Sequence, residues 1–179
     1  MKAVSVTQAI RDSGAGPDFS NVPEAYLRAK AALGSTVHSI CAEAVKGTLI
    51  IPKGEAGPLV RSFGEWIKNS GARILRTEFE VRGFVSGIEY CGHPDIEAEW
   101  RGRKWVLDLK VTSTLYSSYG LQLAAYRRCM GPSCERGILW LRPGKPAKLV
   151  CEPPVIRDSD EEMFKAILIS RAWMQGAKL

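Results

Sequence analysis

The chain has 179 residues, of which 45% are hydrophobic and 25% charged, a composition that excludes a disordered or fibrous protein and suits a globular core. Its net charge of +6 favours a polyanionic partner such as nucleic acid. No apolar run approaches the roughly 20 residues of a membrane span, and the N-terminus lacks a signal-peptide core. We therefore predict one domain over residues 1–179 that is cytoplasmic and binds no membrane. Five cysteines, an odd number, indicate reduced thiols rather than a disulfide frame.

The N-terminal part of the chain predicts helices. A short helix over 4–12 ends in a loop rich in Gly and Pro. A second helix runs over 23–33, and Gly34 is expected to break or bend it. Apolar residues at helical spacing predict a further helix over 35–46, and Pro58 begins another that reaches about residue 69.

Strand signals follow in the middle of the chain. Residues 73–82 and 84–90 are rich in β-branched and aromatic side chains, which predicts two strands and places Glu78 on the first. Residues 94–100 alternate acidic and apolar side chains and should pair, through a Gly-containing turn, with 105–111. After these strands we predict a helix entered at 112–114 and lasting to about 129, a hairpin around Pro143-Gly144, and a last helix capped by Asp158 or Ser159.

The predicted hairpin brings acidic side chains together. The alternation of strand residues places Asp108 and Lys110 side by side on one face, and folding the hairpin carries Asp95 towards Asp108. Two close carboxylates repel each other unless a divalent cation lies between them, and oxygen ligands suit magnesium or manganese. Lys110 would then face a bound water or a phosphate.

The helix after this hairpin carries a polar stripe. Tyr119, Gln122 and Tyr126 fall on one side of it at i, i+3 and i+7, and Arg127 and Arg128 extend its cationic end. The spacing is compatible with ordinary amphipathic helix residues. It is also compatible with a site in which Gln122 bonds a phosphate or holds the site geometry and Tyr126 stacks on a base or braces its neighbours.

Three motifs occur in a fixed order: Pro94-Asp95, Asp108-x-Lys110 and Gln122-x-x-x-Tyr126. Together they resemble the PD-(D/E)xK nuclease superfamily, most closely its RecB-like and phage-exonuclease branch. Gly34-x-x-x-His38 resembles that branch's early helix, and Glu78 resembles the acid before its core strands. The resemblance implies an α/β fold with a restriction-endonuclease-like core, in which helices flank a central mixed β-sheet.

The resemblance also assigns roles to residues. It implies a Mg²⁺ or Mn²⁺ ion held by His38, Asp95, Asp108 and the Leu109 carbonyl, with Glu78 as a further candidate ligand. The implied catalytic residues are Asp95, Asp108, Lys110 and Gln122, and the implied DNA contacts are Tyr119, Gln122, Tyr126, Arg127 and Arg128. Some relatives carry an iron–sulfur cluster, but the cysteines of this chain are too loosely spaced to match that pattern.

The function expected from the resemblance is divalent-metal-dependent exonucleolytic hydrolysis of DNA, leaving 5′-phosphate and 3′-hydroxyl ends. The substrate would be DNA ends or single strands in phage or bacterial recombination, repair or replication, with a partner protein from such a complex, in the cytoplasm of a bacterium or phage-infected host. A structure-selective endonuclease and a non-catalytic nucleic-acid-binding subunit are the alternatives. The intact Asp95, Asp108 and Lys110 argue against the non-catalytic subunit.

Overall fold

The computed structural model describes residues 3–44, 47 and 49–176. The end of the helix predicted over 35–46 therefore lies outside the described residues. The elements along the described chain are β1 (Val4–Ser5), α1 (Val6–Asp12), α2 (Glu24–Ala44), α3 (Ala56–Ser70), β2 (Arg73–Thr77), β3 (Val81–Val85), β4 (Ile88–Gly92), β5 (Ile96–Trp100), β6 (Arg103–Val111), α4 (Ser118–Met130), β7 (Glu135–Leu141), β8 (Lys148–Val150) and α5 (Pro154–Met174).

A five-stranded mixed sheet forms the centre of the fold, in the order β2-β5-β6-β7-β8. Strands β6 and β7 are parallel and joined through α4, whereas the other neighbouring pairs are antiparallel. A smaller sheet has the order β1-β4-β3, with β1 parallel to β4. The parallel pair needs a long crossover, which the helix α4 supplies.

The two faces of the central sheet pack against different helices. On one face, Leu107 and Leu109 of β6 join a core that includes Val37 of α2 and Phe63 of α3. On the other face, Val106 joins a core that includes residues of α1, α4, α5 and the small sheet. Burial on both faces follows from the alternation of side chains along β6. The predicted fold class, a mixed sheet flanked by helices, is confirmed.

The hairpin of β5 and β6 has the predicted antiparallel pairing. Ile96 lies opposite Leu107 and Trp100 opposite Arg103. The turn residues Arg101 and Gly102 both have positive φ, 52° and 71°, as a tight two-residue hairpin requires. The pairing of β6 with β5 ends at Leu107. Asp95, which directly precedes β5, therefore lies beside the last residues of β6, which include Asp108 and Lys110.

The expected break at Gly34 is wrong, because α2 continues from Glu24 to Ala44. A glycine inside a helix costs about 1 kcal/mol, and the packing of Val37 and Cys41, both buried, outweighs that cost. A Cβ at Gly34 would meet nothing within 4 Å. Gly34 therefore lies inside a continuous helix, with open space beside it.

The predicted strand over 73–82 is also corrected. It divides into β2, which ends at Thr77, and β3, which begins at Val81. Glu78 lies in the bend between them with φ 48°, so its predicted place on a strand is wrong. The backbone N–H of Glu78 donates to the carbonyl of Asp95 at 3.0 Å, and this bond turns the chain away from the sheet.

Several helix limits differ from the prediction. Residues 4 and 5 form a strand rather than helix, α4 begins at Ser118 instead of directly after 112–114, and α5 begins at Pro154 rather than at a cap by Asp158 or Ser159. Proline is favoured in the first helical turn because it has no N–H to satisfy there. No helix in the described part of the chain is both long and apolar enough to cross a membrane.

Candidate active site

Asp95 is hydrogen-bonded on both of its carboxylate oxygens. Its Oδ1 lies 3.1 Å from Nδ1 of His38 on α2, and its Oδ2 accepts from the backbone N–H of Leu109 at 2.6 Å. Three segments distant in sequence therefore meet at this carboxylate: α2, the start of β5 and the end of β6. The Asp95 side chain is 13% exposed, so it remains accessible to a small ligand.

Glu78 completes a group of three potential metal ligands with His38 and Asp95. One ligand atom of each residue lies within 4.8 Å of the others. The left-handed backbone conformation of Glu78 is unfavourable for a residue with a Cβ. Such strain is retained where the surrounding structure fixes it, and it often marks functional sites.

Asp108 and Lys110 form an ion pair beside this group. The Nζ of Lys110 lies 2.5 Å from Oδ2 of Asp108, whose side chain is only 3% exposed. Burial raises the pKa of Asp108 to about 6, and the neighbouring Lys110 opposes this rise.

The surroundings of Lys110 favour the protonated form of its side chain and fix its position. Burial lowers the pKa of its ammonium, but the charge and hydrogen bond of Asp108 together with the charge of Asp95 oppose this effect, and the pKa lies above its usual value. The ammonium also donates to Oε1 of Gln122 at 3.2 Å and lies 4.7 Å from the ring centroid of Tyr119. These contacts fix the position of the ammonium between the sheet and α4.

A hydrogen-bonded chain runs from Lys110 into the core. Nε2 of Gln122 donates to the hydroxyl of Tyr126 at 2.8 Å. Burial raises the pKa of Tyr126 to about 12, so its hydroxyl is neutral at physiological pH. A Cβ on Gly92 would lie 2.4 Å from the Tyr126 ring. Gly92, which the motif analysis passed over, is thus needed to let this ring approach the start of the Pro94-Asp95 segment.

The electrostatics of the three-residue group favour a bound cation. Burial opposes protonation of His38, yet the hydrogen bond and charge of Asp95 outweigh it and raise the pKa of the imidazole. Burial and the charge of Asp95 raise the pKa of Glu78. A divalent cation would relieve the repulsion between these carboxylates, and the nearby carboxylate of Asp108 offers another oxygen. The residues present therefore fit a magnesium or manganese ion.

Two open grooves border the site. One, of about 740 Å³, is lined by His38 and Glu78 together with Gly34, Ser35 and Thr77 among others. The second, of about 610 Å³, is lined by Lys110, Tyr119 and Gln122 together with residues of α1 and the loop that follows it. The structure thus gives the predicted residues two open approaches, one on the side of the possible metal ligands and one on the side of the lysine.

The predicted DNA contacts are separated by the structure. Tyr119 and Gln122 border the second groove. Tyr126 is only 2% exposed, so the predicted stacking of this ring on a base is wrong. The alternative, in which Tyr126 braces its neighbours, remains. The guanidinium of Arg127 pairs with Glu161 and donates to two backbone carbonyls, which ties α4 to α5. Arg128 is exposed and is not among the residues that line either groove.

Comparisons with known proteins bear on the fold alone. No family model matches the sequence, and no match is found among curated proteins. The structure is similar to that of a protein named "Putative exonuclease" from Eubacterium rectale, with 14% identity and a TM-score of 0.56, over 94% of this chain and 79% of that one. It also resembles the structure of SSO0001, with 14% identity and a TM-score of 0.44, over 96% and 77% of the two chains. The mixed sheet and its flanking helices are consistent with a restriction-endonuclease-like core.

Proposed function

We propose that this protein is a divalent-metal-dependent DNA exonuclease. The observation that carries the proposal is the approach of His38, Glu78 and Asp95 to within 4.8 Å of one another, beside the buried pair of Asp108 and Lys110. His38 and Glu78 also line an open groove, so a small cation can reach these candidate ligands. A phosphodiester hydrolase needs both a cation site and a fixed ammonium.

The metal would be held by His38, Asp95 and Glu78, with Asp108 and the Leu109 carbonyl as further ligands. Bound there, Mg²⁺ or Mn²⁺ supplies positive charge that polarises the phosphate and lowers the pKa of water. The hydrogen bond from the Leu109 N–H fixes Asp95, so that its other oxygen keeps a defined direction towards His38 and Glu78.

Lys110 would stabilise charge on the phosphate and orient the attacking water. Its raised pKa supports a role as a positioned cation rather than as a proton acceptor. Gln122 receives one of its N–H bonds and is itself fixed by Tyr126. This chain of contacts supports a positioning role for Gln122 next to the reacting phosphate.

Three observations support DNA and an end-dependent mode of action. The chain is basic, with a net charge of +6. Its fold is similar to that of the protein named as an exonuclease. The described elements are used to build the sheet and its two helical layers, and a sequence-specific endonuclease would need a further element to read bases in the major groove. From the resemblance of the motifs, we propose that the activity serves phage or bacterial DNA recombination, repair or replication.

The test is digestion of end-labelled linear DNA and covalently closed circular DNA with Mg²⁺ or Mn²⁺. We expect linear DNA to shorten progressively from its termini and closed circles to persist. The products should carry 5′-phosphates, and binding should weaken steeply with salt because phosphate contacts dominate it. The Asp108→Asn protein, prepared in parallel, controls for contaminating nucleases.

Each other outcome favours a different function. Cutting of closed circles at a rate comparable to linear digestion would promote the structure-selective endonuclease. DNA binding without metal-dependent cleavage would instead leave a non-catalytic nucleic-acid-binding subunit.

A further inference from the structure

The groove on the lysine side has a chemistry that phosphate binding alone does not require. It is lined by Arg11 of α1, Phe19 of the following loop, and Lys110, Tyr119 and Gln122. We propose that this groove holds one unpaired nucleobase of single-stranded DNA against Phe19, with the attached phosphate directed towards Lys110. The proposal rests on the function proposed above, and it adds that the site accepts DNA as a single strand.

Phe19 is an exposed aromatic ring with a fixed orientation. It lies in the loop between α1 and α2 and is 40% exposed. Its ring packs edge to face with Tyr116 at 5.9 Å, and Tyr116 packs in the same way with Tyr119 at 5.7 Å. A ring held in this way loses little conformational entropy when a planar ligand stacks on it.

Tyr119 is less suited to be the stacking surface. The ammonium of Lys110 lies over its ring at 4.7 Å from the centroid, and this contact occupies one face. The ring is also only partly exposed. The geometry therefore assigns stacking to Phe19. Tyr119 contacts Lys110 directly and supports Phe19 through Tyr116.

The two grooves are lined by different charged residues. Among the described residues, those that line the Phe19 groove include two cations, Arg11 and Lys110, and no acid. Those that line the groove on the other side include Glu78, a candidate metal ligand. A polyanion is attracted to the first and a metal cation to the second. The DNA strand would therefore approach the candidate site from the Phe19 side.

The size and position of the groove agree with a nucleotide. Its volume of about 610 Å³ lies within the range of roughly 300–1,000 Å³ that is usual for small-ligand sites. Because Lys110 and Gln122 line both the groove and the candidate site, a base in the groove places its own phosphate next to the ammonium. A base inside a duplex is already stacked on both faces, so it would first have to leave the helix.

The experiment measures binding without cleavage, in buffer with a metal chelator. Single-stranded oligonucleotides carry the fluorescent base 2-aminopurine at successive positions, and its quenching reports stacking. We expect strong quenching at one position in the full-length wild-type protein. Phe19→Ala should abolish this quenching and weaken binding at least about fivefold, the lower end of what base–aromatic stacking contributes. Phe19→Trp should retain both.

A matched control is Phe84→Ala, because Phe84 is 62% exposed but lies on β3 of the small sheet and not in the groove. It should bind and quench as the wild type does. An abasic residue at the quenched position should weaken wild-type binding to the level of Phe19→Ala, and should leave Phe19→Ala binding unchanged. A fully paired duplex of the same sequence should show no quenching. Circular dichroism checks that both alanine variants fold.

The outcomes separate this proposal from the proposed function. Equal binding and quenching in Phe19→Ala and Phe84→Ala, or an abasic residue without effect, would overturn the base site even if the protein digests DNA. Position-specific quenching that depends on Phe19, without cleavage when metal is added, would support the base site and overturn the nuclease. Quenching in the duplex equal to that in the single strand would also overturn the proposal, because it removes the requirement for an unpaired base.

Discussion

Two clusters of charged residues are built around neighbouring strands of the central sheet, β7 and β6. In the first, Arg136 of β7 is 1% exposed and pairs with Glu152 at 2.7 Å and Asp160 at 2.6 Å. Its guanidinium also donates to the carbonyl of Gly120 at 3.0 Å. A Cβ on Gly120 would come within 2.4 Å of Asp160, so the cluster fills the space between β7, α4 and α5.

The second cluster is the candidate site, and it is compensated differently. Three acids, Glu78, Asp95 and Asp108, meet one lysine and one histidine, and two grooves open onto them. In the Arg136 cluster the cation lies between its acids and closes the space around them. Burial of charged residues alone therefore does not indicate function. The incomplete compensation of charge, together with access from solvent, distinguishes the candidate site.

The largest effect is expected at the buried acid of the site. Asp108→Asn and Lys110→Ala should each reduce cleavage at least about a thousandfold, because each removes a group that acts on the reacting phosphate. DNA binding should survive, since it rests mainly on other cations. Single-turnover digestion and a filter-binding titration measure the two properties.

Asp108→Asn also tests how much the Asp108 carboxylate contributes to the stability of the fold. Asp108→Asn removes a buried charge whose pKa is raised but leaves the ammonium of Lys110 without its ion-pair partner, so the free energy of unfolding in urea should fall by less than the roughly 3–5 kcal/mol of a broken buried pair. Asp158→Asn, at an exposed position, is the matched control for cleavage. Cleavage by Asp108→Asn near that of Asp158→Asn would contradict the site assignment.

The second prediction breaks the other cluster. Arg136→Met should lower the free energy of unfolding by about 3–5 kcal/mol, because it leaves Glu152 and Asp160 buried without their cation. Adding Glu152→Gln and Asp160→Asn should restore most of the loss. Urea denaturation measures the change, and Arg128→Met, at an exposed residue, is the control. A loss below about 1 kcal/mol would mean that the cluster does not hold α4 and α5 to the sheet.

The third prediction concerns the metal. A hundredfold excess of Mn²⁺ over its dissociation constant should stabilise the protein by about 2.7 kcal/mol, which raises Tm by roughly 5–10 °C. His38→Ala should reduce this shift and should lower activity most at low metal concentration, with partial recovery at high manganese. Glu78→Gln should also reduce the shift.

The chain offers a matched control for this titration. It has two histidines, and the side chain of His93 is 61% exposed, lies 3.9 Å from Glu80 and is not in the group formed by His38, Glu78 and Asp95. His93→Ala should keep the full wild-type shift. An unchanged titration in His38→Ala would return His38 to an ordinary partly buried histidine.

The smallest effect is expected from Tyr126→Phe. The variant removes the hydroxyl that accepts from Gln122, and a neutral hydrogen bond contributes about 0.5–1.5 kcal/mol. Cleavage should therefore fall roughly two- to tenfold, with little change in DNA binding, because Tyr126 is buried. Tyr26→Phe, at a residue that is 56% exposed, is the control. A loss of binding equal to the loss of cleavage would contradict the positioning role.

The sequence by itself determined the local part of this arrangement. The alternation of Asp108 and Lys110, the turn at Arg101-Gly102 and the helical spacing of Gln122 and Tyr126 depend on backbone periods of two and 3.6 residues, and they lie within one continuous stretch. The pairing of β5 with β6 follows from the strand period and the turn. Asp95, Asp108, Lys110 and Gln122 come close together in the structure, while their chemical roles remain predictions.

Only the tertiary structure decided the parts that depend on distant segments. Glu78 reaches His38 because its backbone bonds to Asp95 and takes a positive φ, which no strand pattern indicates. Helix α2 passes through Gly34 because packing outweighs local propensity, and Phe19 joins the site only when its loop packs on Tyr116. Periodicity specifies which face a side chain occupies, but the contacts between faces arise from packing of segments far apart in sequence. Such contacts leave little trace in the local pattern of residues.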